Sequence, residues 1–169
     1  PAGKTQNYYL AVGRLLNYKR FDLIIDAFAK LGLLLKIVGS GPEKENLESR
    51  ILNLEAKNIE LIPFVKNDEE LRKIYNGAKA LIFPQVEDFG LVAAEAQACG
   101  TPVIAYRGGG ALEIIEDGIT GLFFNQQTAE SLAAAVQRTE GIEFNRKKIS
   151  ELAQRFSKEN FKKQFLTAI

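Results

Sequence analysis

Apolar and polar positions along this chain follow two rhythms, short apolar runs and longer amphipathic stretches, with glycines marking many of the changes between them. The runs Tyr8 to Val12, Leu33 to Val38, Ile59 to Ile62, Ala80 to Phe83, Val103 to Ala105 and Thr120 to Phe124 predict strands. Between them the periodicity predicts helices over Phe21 to Lys30, stopped by Gly32, and over Glu43 to Leu54. A further helix is capped by Asp68 and ends near Gly77, and another starts near Phe89 and ends at Gly100. A short turn follows Glu113, Thr128 caps a helix through Arg138, and helical periodicity resumes at Asn145, broken near Ser157. The last segment, Phe156 to Leu166, places Phe161, Phe165 and Leu166 on one face. Leu33 to Val38 is almost continuously apolar, as a strand covered on both faces should be. Six strands alternating with helices imply an α/β fold with a parallel, doubly wound sheet and right-handed crossovers.

Composition sharpens this picture. With 169 residues, 46% of them hydrophobic and 25% charged, residues 1–169 are expected to form one domain with a full core. A net charge of +1 argues against a general nucleic-acid surface. Cys99 has no second cysteine to pair with, which fits a reducing compartment, and cytoplasm is the expected location. No apolar run approaches the roughly 18 residues that span a bilayer, and no signal peptide is evident, so a soluble chain is expected. Histidine is absent, so no histidine base or ligand comes from these residues. The chain also lacks Met and begins at Pro1, which suggests an excised domain.

In an open parallel sheet, ligands bind beyond the carboxyl ends of the strands. Four loops there carry chemistry. After the first strand, Gly13-Arg14-Leu15 is followed by Lys19, a fork and a point charge placed for an anion, or else two solvated cations. After the second, Gly39-Ser40-Gly41-Pro42 allows either a tight turn or a close nucleotide approach. It is not a dinucleotide fingerprint, which needs G-x-G-x-x-G after the first strand. After the third, Phe64 and Val65 are an apolar pair at a strand end, which by itself fits core packing.

The fourth loop lies inside the central stretch Phe83 to Gly110, FPQVEDFGLVAAEAQACGTPVIAYRGGG. Its carboxylates Glu87 and Glu95 are separated by seven residues and bracket a helix N-terminus. That end offers unpaired N–H groups, those of Phe89, Gly90 and Leu91, to a phosphate. Gly90, without a side chain, lets a ligand oxygen approach the backbone. Glu95 sits among Leu91, Ala94, Ala96 and Ala98 and needs a polar partner, for which sugar hydroxyls are suitable donors. Taken singly, Glu87 fits a solvated loop and Glu95 a local ion pair.

Together these residues resemble a known family. Glu87-Asp-Phe-Gly-Leu-Val-Ala-Ala-Glu95, with the later Gly109-Gly110-Ala-Leu-Glu113, is similar to the Glu-(seven residues)-Glu signature of the family four retaining glycosyltransferases of the GT-B fold. Gly13-Arg14-Leu15 with Lys19 fits that family's diphosphate-binding spacing, and the resemblance runs from Tyr8 to the final helix. It implies a Rossmann-like parallel sheet of about six strands with helices on both faces, the C-terminal half of a GT-B fold. The chain would be the donor-binding domain of an enzyme moving a hexose, mannose or glucose, from a GDP- or UDP-linked sugar to a glycan or glycolipid.

By the same resemblance Arg14, Lys19 and Glu87 are the catalytic set, and Gly13, Gly39, Gly41, Phe64, Val65, Phe89, Gly90, Leu91 and Glu95 bind the donor. Arg14 and Lys19 would neutralise the diphosphate leaving group without a metal, Glu87 would hold sugar hydroxyls and Glu95 the ribose. No cofactor beyond the nucleotide-sugar substrate is implied. Pro63 stands where the family usually has glycine, which leaves the base open. Arg14, Lys19, Glu87, Gly90 and Glu95 are expected to line one crevice. The acceptor site would lie mostly in an N-terminal domain preceding Pro1, so this domain alone would bind donor and transfer nothing. Lys158, Lys162 and Lys163 suit either a peripheral contact with an acidic membrane or a solvated face. Two other readings stay open, a GT-B sugar-nucleotide epimerase half and a non-catalytic Rossmann-like binding domain.

Overall fold

In the computed structural model, residues 6–157 and 160 are described. The six strands are β1 (Tyr9–Val12), β2 (Leu35–Val38), β3 (Ile59–Ile62), β4 (Leu81–Phe83), β5 (Val103–Tyr106) and β6 (Gly121–Phe124). All neighbours pair in parallel, in the order β3-β2-β1-β4-β5-β6. The helices are α1 (Phe21–Leu31), α2 (Lys44–Asn53), α3 (Asp68–Gly77), α4 (Leu91–Ala98), α5 (Ala111–Ile114), α6 (Ala129–Thr139) and α7 (Arg146–Ala153). This is the Rossmann-like α/β sheet that the alternation of apolar runs predicts. The final helical segment, with Phe161, Phe165 and Leu166 and the lysines at 158, 162 and 163, lies outside the described residues.

Most strand positions are apolar because both faces of the sheet are covered; the charged exceptions, Lys36 of β2 and Glu60 of β3, lie toward the β3 edge. Tyr9, Ala11, Ile37, Ile82 and Ile104 point into one core with α1, α2 and α6. Tyr8, Leu10, Leu81, Phe83, Val103 and Ala105 point into the other, with Tyr75 of α3, the alanines of α4 and Ile114 of α5. From β1 the chain winds outward to β2 and β3 with α1 and α2 on the first face. From β4 it winds the other way with α4 and α5 on the second. Reversing both direction and face keeps the crossovers of one hand. The strand order therefore switches between β1 and β4, and in open α/β sheets the carboxyl edge at such a point is where ligands bind.

Element ends differ from the expectations in physically instructive ways. Helix α3 is capped by Asn67, whose side chain accepts from the N–H groups of Glu69 and Glu70, so Asp68 is its first helical residue instead. Thr128 caps α6 as expected, accepting from Ser131 N–H. Helix α4 starts at Leu91, not near Phe89, because Gly90 takes a left-handed conformation, φ 84°, and serves as its N-cap. Strand β6 begins at Gly121, since Thr120 closes a turn by donating its N–H to Glu116.

Candidate functional site

The loops after β1 and β4 meet at the switch point. The loop after β1 is zipped to the loop after β2: Gly13 N–H donates to Val38 carbonyl at 3.0 Å and Leu15 N–H to Ser40 carbonyl at 2.9 Å. A side chain at Gly39 would place its Cβ 1.9 Å from Gly13 carbonyl oxygen, and one at Gly41 would meet Leu15 backbone at 2.4 Å. Backbone-to-backbone packing is thus a role for these glycines beyond the tight turn and the close nucleotide approach expected of them. A 3-10 turn over Asn17–Lys19, ended by Arg20 in the left-handed region (φ 56°), then turns Lys19 back toward the sheet.

Lys19 is 9% exposed, unusually buried for a lysine. Burial pushes its ammonium pKa down, so the charge needs a counter-ion. Glu87, from the loop after β4, supplies one, and the two side chains form an ion pair across the switch point. Arg14 is exposed on the same edge, with no side-chain hydrogen bond or ion pair among the described residues. Gly13, Arg14, Lys19 and Glu87 are thus gathered at one edge, with one cation neutralised and one open.

The Glu87 loop is held from below by the glycines after β5. Gly110 N–H donates to Glu87 carbonyl at 2.7 Å. A Cβ at Gly109 would stand 2.5 Å from that same oxygen, and one at Gly110 2.5 Å from the carbonyls of Asp88 and Phe89. The Gly-Gly of the sequence is therefore a bed for the acidic loop. Beyond it, the N–H groups of Phe89, Gly90, Leu91 and Val92 take no protein partner among the described residues and face the start of α4. That set runs one residue further than expected, because the helix starts later. Gly90 has a reason to be glycine in addition to the ligand approach expected of it. Its φ is left-handed, and a Cβ there would point at Phe83 (3.2 Å) and Ile114 (3.4 Å), inside the protein.

The remaining candidates lie farther out. Phe64 is 61% exposed at the end of β3, while Val65 is half-buried against the second core. Phe89 and Leu91 are exposed, the Phe89 ring meeting Phe156 edge-on at 6.0 Å. Glu95 is on the face of the sheet that α4 covers, opposite α1, and makes no hydrogen bond or ion pair with Lys19 or Glu87 among the described residues. Its expected polar partner is a residue that sequence reasoning passed over, Tyr75 of α3, whose hydroxyl donates to Glu95 Oε2 at 3.1 Å. The signal was present: Leu71, Tyr75 and Ala78 share a buried stripe, and a phenol buried there must find an acceptor. Among the described residues no helix is long and apolar enough to cross a membrane.

Residues 1–163 match the family described as Glycosyl transferases group 1. The chain is 32% identical over 153 residues to an uncharacterized glycosyltransferase of Methanocaldococcus jannaschii, covering 90% of this chain and 43% of that protein. It is 34% identical over 132 residues to the D-inositol 3-phosphate glycosyltransferase of Mycobacterium marinum, covering 74% of this chain and 28% of that one. It thus spans less than half the length of these relatives. Among solved structures, the pneumococcal O-GlcNAc transferase GtfA, in complex with UDP and GlcNAc, superposes with a TM-score of 0.85 at 24% identity, over 98% of this chain and 36% of that chain. TarM of S. aureus, in a complex that includes UDP, superposes at 0.86 with 21% identity, over 99% and 36%. These two likenesses concern the fold.

Proposed function

This chain belongs to the group 1 glycosyl transferases, and on that premise we propose that it is the donor-binding, C-terminal half of a retaining GT-B hexosyltransferase. The observation that carries the proposal is the Lys19–Glu87 ion pair at the β1/β4 switch point, with exposed Arg14 beside it. A diphosphate entering there meets Arg14 directly and competes with Glu87 for Lys19. The free N–H groups at the start of α4 add a second anion-binding edge. As the bond from sugar to diphosphate breaks, negative charge grows on the leaving phosphate. Two cations gathered at that edge favour that charge more than the ground state, the differential binding that lowers a barrier. In this account no metal is needed for the neutralisation. Glu87, freed from Lys19, turns to the sugar hydroxyls, Glu95 takes the ribose, and Phe64 and Val65 at the end of β3 flank the base.

The donor is a UDP- or GDP-linked hexose, with mannose and glucose the leading candidates, and the acceptor is a glycan or glycolipid held by an N-terminal domain. Holding one substrate does not orient a second, and orientation is a large share of catalysis. The 169 residues alone should therefore bind donor without transferring sugar. A cytoplasmic setting, with contact at the inner membrane face where the acceptor is a lipid, accords with that chemistry. Thermal melts with a panel of nucleotide sugars test the reading. A donor at 100 times its dissociation constant adds about 2.7 kcal/mol of stability, whereas no stabilisation by any UDP- or GDP-sugar would refute it.

A further inference from the structure

We propose that Tyr75 is a positioning residue for nucleoside recognition: its hydroxyl fixes the Glu95 carboxylate in the orientation that grips the ribose diol. The inference rests on the ribose role proposed above for Glu95. A glutamate on an exposed helical face has three side-chain torsions to order, and a carboxylate that accepts from two vicinal hydroxyls must present one set plane. Left to solvent, Glu95 would sample many planes. Tyr75 removes that freedom by donating to Oε2 at 3.1 Å, which leaves Oε1 and the second lone pair of Oε2 for a ligand.

The tyrosine is itself anchored. It is 2% exposed, and its carbonyl accepts from Thr101 Oγ1 at 2.7 Å. Thr101 Oγ1 in turn accepts from Arg146 Nη2 at 2.9 Å, and Arg146 also donates to the carbonyls of Asn76 and Ala78, both at 2.9 Å. The end of α3 is thus pinned to the start of α7 and to the segment after α4, and the Tyr75 hydroxyl meets Glu95. Burial, and then the neighbouring Glu95 charge, push the phenol's pKa upward, so the hydroxyl keeps its proton and stays a donor throughout the working pH range.

The test is calorimetric titration of UDP and its 2′,3′-dideoxy analogue, with GDP and its dideoxy analogue in parallel, into wild type, Tyr75→Phe and Glu95→Gln. Phenylalanine fills the same volume, and Glu95 faces solvent once released, so Y75F is expected to melt as wild type does. Wild type should prefer the ribose form by about tenfold or more, the scale of a charge-assisted hydrogen bond. In E95Q that ratio should fall to near one. In Y75F most of it should be lost while the dideoxy affinity stays at the wild-type value, which a merely structural role would not produce. If E95Q loses the ratio and Y75F keeps it, Tyr75 is core packing and the inference is overturned. If E95Q keeps the ratio, or wild type shows none, the ribose role of Glu95 fails and the inference falls with it.

Discussion

Lys19, on the loop after β1, and Glu87, on the loop after β4, form an ion pair across the point where the strand order reverses. Their side chains are 10% and 18% exposed, so the pair is shielded from salt and water far more than an ordinary surface bridge. A double-mutant cycle with Lys19→Met and Glu87→Gln, measured by urea unfolding, should give a coupling of about 1–3 kcal/mol. The same cycle on Lys44 and Glu48, an exposed pair on α2, should give about 0.5 kcal/mol or less. Equal couplings would mean that the Lys19–Glu87 contact is a surface contact of no special standing.

The glycines of the loops fall into two kinds, and substitution should separate them. Gly39→Ala forces a Cβ to 1.9 Å from Gly13 carbonyl oxygen, and backbone cannot retreat as a flexible side chain can. It should cost about 3 kcal/mol or more. Gly118→Ala meets nothing within 4 Å and pays only for its left-handed φ of 78°, about 1–2 kcal/mol. Denaturant midpoints measure both, and a Gly39→Ala protein as stable as Gly118→Ala would show that the β1 and β2 loops are not locked together.

Away from the site, Glu140 ties the end of α6 to the sheet by accepting from Lys79 Nζ at 2.6 Å and from the Tyr9 hydroxyl. The lysine hydrogen bond, then the tyrosine one, hold its carboxyl below the usual glutamate range. A carboxylate with a depressed folded-state pKa contributes stability above its unfolded value, here 4.5, and loses it as pH falls through the folded value. Wild type should therefore lose stability below pH 4.5 more steeply than Glu140→Gln. Parallel acid slopes in urea melts at pH 7 and pH 4 would contradict the assignment.

The fold was legible because nearly every strand position is apolar and glycines or polar caps punctuate several helices; Gly32 and Thr128 act where the pattern places them. Local competition moved the ends. Asn67 outranked Asp68 as a cap because its side chain reaches two N–H groups, and Gly90, turning left-handed, delayed α4 to Leu91. In the site, loop position at successive strand ends was enough to suggest that Lys19 and Glu87 share an edge. The Tyr75–Glu95 bond was not visible, because it joins helices whose adjacency depends on strand order, and no local pattern encodes that order. The purpose of Gly39, Gly90 and Gly110 was hidden for the same reason, since what a Cβ would strike belongs to a distant segment.

The central claim is that the edge carrying Arg14, Lys19 and Glu87 receives the donor's diphosphate, and Arg14 isolates it because its exposed side chain makes no hydrogen bond or ion pair among the described residues. The direct measurement is calorimetric titration of UDP and GDP into wild type and Arg14→Ala, with urea unfolding of both proteins alongside. The account predicts that the nucleotide which binds loses about 1.5–3 kcal/mol of affinity in the mutant, with unfolding free energy unchanged. Equal affinity in the two proteins would make Arg14 a solvated surface cation and contradict the assignment of this edge to the diphosphate.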